Sequence, residues 1–282
     1  MSDDPAAALE TAFGELGSMR PDAGGAPAVA VPMAVPLAGA LPMTRVVGTV
    51  PLVLLSGMLG DADLWAGVMA DLRDEVPMQS ERIDLDDSVA EMAASVLAAA
   101  PSRFALAGHS LGGIVALDVV RQAPERVTRL ALLNTSGRGG SDAQIRSWEH
   151  LRGRVRGGGF AAVAAELARA TLPPAKRDDA DLVACGQAMA LRIGGAGLLR
   201  QLEAQISRPD SRDRLAEIAV PVLVVSGELD EISPAALQQE LVEAIPGADH
   251  AVIGGSGHMT PFEAPHEVAA HLRRWLSRGA ER

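Results

Sequence analysis

The chain has 282 residues, of which 48% are hydrophobic but only 2% aromatic, and it carries a formal charge of −11. That is enough apolar sequence for one large α/β domain with an insertion, while the acidic balance argues against nucleic acid or an anionic membrane surface as a partner. A single cysteine, Cys185, excludes an internal disulfide framework and a multi-cysteine metal site.

Residues 1–45 differ in character from the remainder of the chain and are expected to form a proline- and alanine-rich arm. Asp4 to Met19 has the spacing of a weak amphipathic helix. Ala26 to Met43 is uncharged, but Pro27, Pro32, Pro36 and Pro42 interrupt it too often for a membrane span. The small triplet Ala38-Gly39-Ala40 suits signal cleavage, yet the segment before it carries five acids against Arg20 alone. Secretory signals start positive. A cytoplasmic location is therefore expected, with export as the alternative.

From Val50 to Leu55 runs a continuous apolar stretch, as a strand buried on both faces should. It ends in the turn Ser56-Gly57-Met58-Leu59-Gly60, and Ala62 to Glu75 comes next with helical spacing. A polar strand is predicted over 78–83. Asp86 and Asp87 are then expected to cap a helix with Val89, Met92, Ala93 and Val96 on one face. Phe104 to Ala107 is a short buried strand, Gly108-His109-Ser110 a tight turn, and Leu111-Gly112-Gly113 the start of a helix closed by Pro124. Val127 to Leu133 is another strand. This alternation predicts an α/β fold: a mostly parallel sheet with helices on both faces.

Between 137 and 214 only helical periodicity remains, at Ile145/Trp148/Val155, Phe160/Val163/Leu167, Leu182/Gly186/Met189/Ile193 and Leu199/Leu202/Ile206. This predicts a helical cap inserted between two strands, leaving 46–136 and 215–282 as the core. Arg152, Arg154 and Arg156 are expected to be solvated, and Cys185, in an Ala/Leu-rich stretch, to be a small core residue. The sheet then resumes at Val220–Ser226, followed by a helix over 234–244, a strand over 249–253 and a closing helix over 263–276.

Gly108-x-Ser110-x-Gly112 between a strand and a helix is the pattern of a nucleophile elbow. The glycines remove the Cβ atoms that would block so sharp a reversal, and the helix start offers free amides to a developing oxyanion. Serine needs a base, and the base needs a third group to hold its tautomer. Such groups belong on loops at the carboxyl ends of parallel strands. Ser110, Asp230 and His258 each follow a predicted strand in that order, and only His258 among the six histidines lies in a glycine-rich loop after one. His109 is expected to support the turn from beside Ser110. The backbone amides of Leu111 and Met58 are the candidate oxyanion donors, with Gly57 allowing the close approach.

Residues 50–277 resemble the α/β-hydrolase superfamily, specifically the smaller bacterial serine hydrolases with a helical cap. The resemblance is carried by Leu54-Leu55-Ser56-Gly57-Met58, Gly108-His-Ser-Leu-Gly-Gly113, Gly227-Glu-Leu-Asp230, and Gly257-His258 with Glu263-x-Pro265. It implies a Ser110–His258–Asp230 triad, an acyl-enzyme, no cofactor and no metal. The partner would be a small-molecule substrate, and the chain a monomer or homodimer without a membrane span. One departure is Ser56 where the family has histidine before Gly57, so a hydrogen bond orienting that loop is expected to be lost. Some members place the acid after the strand that follows the nucleophile helix, and here that position holds Asn134. The reaction expected is hydrolysis of an ester or thioester of a small, mostly apolar acid. C–C bond hydrolysis, acyl transfer, cofactor-free haloperoxidation and ligand reception with an idle triad are the alternatives.

Overall fold

A computed structural model describes residues 50–277; the arm expected over 1–45 lies outside the described residues. Six strands form one parallel sheet: β1 (Leu52–Leu55), β2 (Met78–Glu81), β3 (Phe104–His109), β4 (Val127–Leu133), β5 (Val222–Gly227) and β6 (Asp249–Ile253). Their spatial order is β2-β1-β3-β4-β5-β6. The chain therefore winds one way from β1 to β2, then crosses back and winds the other way from β3 onward. This reversal opens a crevice beyond the carboxyl ends of β1 and β3, where open α/β sheets collect their ligands.

Side-chain alternation explains why the strands read as unbroken apolar runs. Leu52 and Leu54 face one layer with Ala105, Ala107, Ala131 and Leu133, under α1 (Ala66–Leu72) and α9 (Pro265–Ser277). Val53 and Leu55 face the other with Leu106, Leu130, Leu132 and Val224, under α2 (Val89–Ala99), α3 (Leu111–Gln122) and α7 (Ala235–Ala244). In the central strands both faces are covered, so a polar side chain there needs a partner, whereas the edge strands β2 and β6 keep partly exposed positions.

Between β4 and β5 the chain is helical, running through α4 (Asp142–Arg154), α5 (Phe160–Ala170) and α6 (Ala180–Ser207). A capping box at Ser141 and Gln144 starts α4. Trp148, Leu151, Val163, Leu167, Leu198 and Leu202 form a separate small core with Leu59 from the loop after β1. By length and composition α6 is apolar enough to cross a membrane. Gly194 breaks it with φ 73° and ψ 169°, and Met189, Ala190, Leu198 and Leu202 are buried within the protein.

Several expectations need correction. The cap of α2 is Ser88, whose hydroxyl accepts from Glu91 N–H, rather than the preceding aspartates. Cys185 is exposed, because the buried face of α6 runs through Val183, Met189 and Ala190, leaving position 185 outside. Arg152 and Arg154 are not free on a solvated face: they bridge helices to Glu203 and Glu166 over 2.7 Å. The closing helix is interrupted at Ala264, giving a short α8 (Thr260–Glu263) before α9, since Pro265 cannot continue the ladder of its predecessor.

Candidate active site

Ser110 sits at φ 53° and ψ −119°, a region that non-glycine residues occupy only when the surroundings enforce it. Here they do. Its N–H donates to the Leu133 carbonyl, and its own carbonyl accepts from Gly113, Ile114 and the Thr135 hydroxyl. The two flanking glycines are steric necessities. A Cβ on Gly108 would lie 2.3 Å from the Gly112 oxygen, and one on Gly112 would lie 2.5 Å from the Leu55 oxygen.

Three loops bring the sequence-predicted side chains together. Ser110 Oγ donates to His258 Nε2 over 2.9 Å. His258 Nδ1 lies 3.0 Å from Asp230 Oδ2 and 3.1 Å from Oδ1. A carboxylate offers only acceptors, so Nδ1 carries the proton and Nε2 is the lone pair facing the serine. Asp230 and His258 are both buried. Burial by itself would raise the Asp230 carboxyl, but the charge and hydrogen bond of His258, with donors from Ser233 and Asn134, outweigh it and hold its pKa below the usual value. Glu228 accepts from Gly255 N–H and Glu231 pairs with Arg177 at the surface, so neither reaches His258.

His109 supports the arrangement from behind. Its Nε2 donates to the His258 carbonyl over 2.7 Å, which fixes its tautomer, and its Nδ1 is buried without a partner. Burial, with His258 close by, pushes its pKa down to about 3. Gly57 packs on this ring: a Cβ there would come within 2.8 Å of His109 Nδ1 and 3.0 Å of Ser110 Cβ. The loop after β1 thus abuts the serine. Its Leu59 and Gly60 amides are engaged by Gln201 and the Gly57 carbonyl. Ser56 ties the loop to itself by donating to the Asp61 carbonyl over 2.7 Å.

Two residues whose role the sequence did not reveal complete the site. Asn134, fully buried at φ 49°, donates to Asp230 Oδ2 over 2.8 Å and to the Gly257 carbonyl, and accepts from Thr260. Glu263 accepts from the amides of Gly257 and Met259, the neighbours of His258, and from Lys176. Asn134 directly follows β4, so the rule that placed the other three loops pointed to it. A cavity of about 100 Å³ opens at Ser110 and His258, bounded by Gly57 and Met58, by Trp148, Leu167 and Met189 of the helical segment, and by Arg208. Among the described residues no cluster of His, Cys, Asp or Glu has the makings of a metal site.

A parallel sheet whose third strand ends in a serine elbow, with histidine and aspartate on later loops, is the architecture of the α/β-hydrolase fold. The chain belongs to the alpha/beta hydrolase family, whose profile matches residues 52–271. It is 32% identical over 227 residues to the protein named "Putative carbamate hydrolase RutD" of Klebsiella pneumoniae (strain 342), covering 74% of this chain and 84% of that one. Among solved structures it resembles a thermophilic esterase from Thermogutta terrifontis, with TM-score 0.74 and 26% identity over 80% of this chain and 89% of that one. The fold is shared with the enol-lactonase of Burkholderia xenovorans LB400, with TM-score 0.72 and 22% identity over 81% and 92%. The protein is a hydrolase.

Proposed function

We propose that the protein is a serine hydrolase that cleaves a carboxylic ester or thioester of a small, mostly apolar acid through an acyl-enzyme. The observation that carries this reading is the unbroken chain Ser110–His258–Asp230, at 2.9 and 3.0 Å, opening onto a largely apolar cavity. Ser110 Oγ attacks the carbonyl carbon as its proton passes to His258 Nε2, and Asp230 stabilises the imidazolium. The carbonyl oxygen becomes an oxyanion. Leu111 N–H, first in α3 and so without an intrahelical acceptor, and Met58 N–H are its donors. The leaving alcohol or thiol takes the proton from Nε2. Water then gives a proton to His258 and its hydroxyl to the acyl carbon, releasing the acid and restoring Ser110 Oγ–H.

The segment 137–214 acts as the cap over 46–136 and 215–282, since its helices supply much of the cavity wall. The likeness to the RutD proteins supports carbamates as a second acyl class for the same machinery. A fluorophosphonate should label Ser110, and Ser110→Ala should lower turnover of short-chain activated esters by about 10⁴- to 10⁶-fold with the fold intact. Labelling elsewhere, or an active Ser110→Ala variant, refutes the mechanism. A panel of esters, thioesters and carbamates ranks the acyl classes.

A further inference from the structure

The serine cavity holds one permanently charged side chain. Among the described residues lining it there is no aspartate or glutamate, but Arg208, the residue after α6, reaches it. Its guanidinium lies over Trp148, 5.0 Å from the ring centroid, and Nη1 donates to Gln205 Oε1 over 2.6 Å. Arg208 also lines the neighbouring depression with Arg138, Asp210 and Arg212, but Trp148 and Gln205, which hold its guanidinium, line only the serine cavity. The remaining donors are idle. Nε is buried without an acceptor, and Nη2 has no bond to a described residue. The nearby carboxylate, Asp210, is already held by Arg212 through both oxygens and through the Arg212 amide.

A cation at a helix end that stacks on tryptophan could be structural only. Such a role does not account for the idle edge. Other forks in this protein, such as Arg82 on Asp84 or Arg138 on Glu240, use Nε and Nη2 together on one carboxylate. Arg208 has that same pair free, in a protein with an excess of acids. Burial lowers its pKa only to about 10, so it is charged at neutral pH.

We propose that Arg208 determines specificity by receiving a carboxylate carried by the substrate, which makes the substrate a compact ester or carbamate with a free acid group. Nη1 stays on Gln205, Trp148 keeps the guanidinium flat, and a small turn of the enclosed Nε closes the fork on the anion. The cavity is small, about 100 Å³, which favours a short acyl chain between the two ends.

The inference rests on the serine-hydrolase reading, and its test separates the two. Monomethyl glutarate and methyl valerate, alike in length but differing in charge, are compared in a pH-stat. Wild type should favour the anionic ester. Arg208→Gln should lose about 10- to 100-fold in kcat/KM for it, the size of a charge-assisted hydrogen bond, with less than threefold change for the neutral ester. Arg208→Lys should fall between. Equal losses on both esters would make Arg208 structural and overturn the proposal, as would a wild type indifferent to charge. Calorimetric titration of glutarate against wild type, Arg208→Gln and Arg208→Lys needs no turnover. Binding weakened by the same factor supports the proposal even if Ser110 proves unreactive to fluorophosphonate, and unchanged binding overturns it even if Ser110 reacts.

Discussion

Asn134 donates its side-chain amide to Oδ2 of Asp230 over 2.8 Å. It stands after β4, where some relatives of this fold carry the acid, and serves that acid on the neighbouring strand. Asp230 Oδ1 accepts from the amides of Ile232 and Ser233 over 2.9 Å, so the carboxylate is fixed on both oxygens before His258 binds it. Asp230→Asn should cost about 10⁴-fold in kcat, as when a triad histidine loses its orienting anion. Asn134→Ala leaves the carboxylate in place but strips one donor and the acceptor of Thr260. Its expected cost is about tenfold in kcat and about 1–3 kcal/mol in stability, for a buried network left short of partners. Glu228→Gln and Glu231→Gln should change kcat by less than about tenfold. Steady-state kinetics on the four variants decide the assignment, and the order reverses if Asn134 matters more than Asp230.

The pH dependence of stability should report His109. In the fold it stays neutral down to about pH 3, whereas in the unfolded chain histidine takes a proton below about pH 6.5. Between those values the unfolded state binds the extra proton, so His109 makes stability fall as pH falls, and above about 6.5 the contribution is fully present. The full span is worth roughly 5 kcal/mol. His109→Gln keeps a donor for the His258 carbonyl but cannot titrate. Relative to its own value at pH 7, wild type should lose about 3 kcal/mol more than His109→Gln by pH 4. Parallel urea-unfolding curves across that range would show that His109 is not the group.

Gly57 brings the loop after β1 up against His109 and Ser110. Gly57→Ala puts a methyl 2.8 Å from His109 Nδ1, on a ring that is itself bound to the His258 backbone. The ring cannot retreat without moving His258. We expect about 1–3 kcal/mol of destabilisation from the overpacking and a loss of about 10²-fold in kcat from the displaced base, measured by urea unfolding and ester turnover. Full activity would mean that the loop yields instead.

Much of this arrangement was legible because it is local. The unbroken runs at β1, β3 and β5 announce strands covered on both faces, and Ser110, Asp230 and His258 each stand directly after a strand, so placing the strands places them. What was illegible depends on how elements dock. Cys185 looks like a core residue in the sequence because an Ala/Leu-rich helix does not declare which stripe it buries. Arg154 and Glu166 lie on different helices, and neither helix alone predicts their pairing. Arg208, beside Pro209 and Asp210, looks like any charged helix end until α4 brings Trp148 beneath it.

The same docking sets the last prediction, which concerns the tie between the helical segment and the histidine loop. The Glu263 side chain is fully buried, and Lys176, from the turn between α5 and α6, reaches it over 2.9 Å. Its oxygens also take the amides of Gly257 and Met259 over 3.0 to 3.1 Å, so one carboxylate holds both neighbours of His258 and the segment above them. Pro173 seals the contact, since a Cβ on Gly257 would lie 2.7 Å from its Cδ. Glu263→Gln puts amide hydrogens where only acceptors fit, facing either the ammonium or a backbone N–H. Breaking one side of a buried pair in this way costs about 3–5 kcal/mol, and the loosened His258 should lower kcat by about 10- to 100-fold. Lys176→Met leaves the buried Glu263 carboxylate its backbone donors but no countercharge, so it should cost a similar amount, about 3–5 kcal/mol, with a smaller effect on kcat. In the double variant the penalties should not add, because both act on one network. Additive losses of stability would mean that Lys176 and Glu263 act independently, and an unchanged kcat in Glu263→Gln would mean that His258 is held well enough by His109 and Asp230 alone.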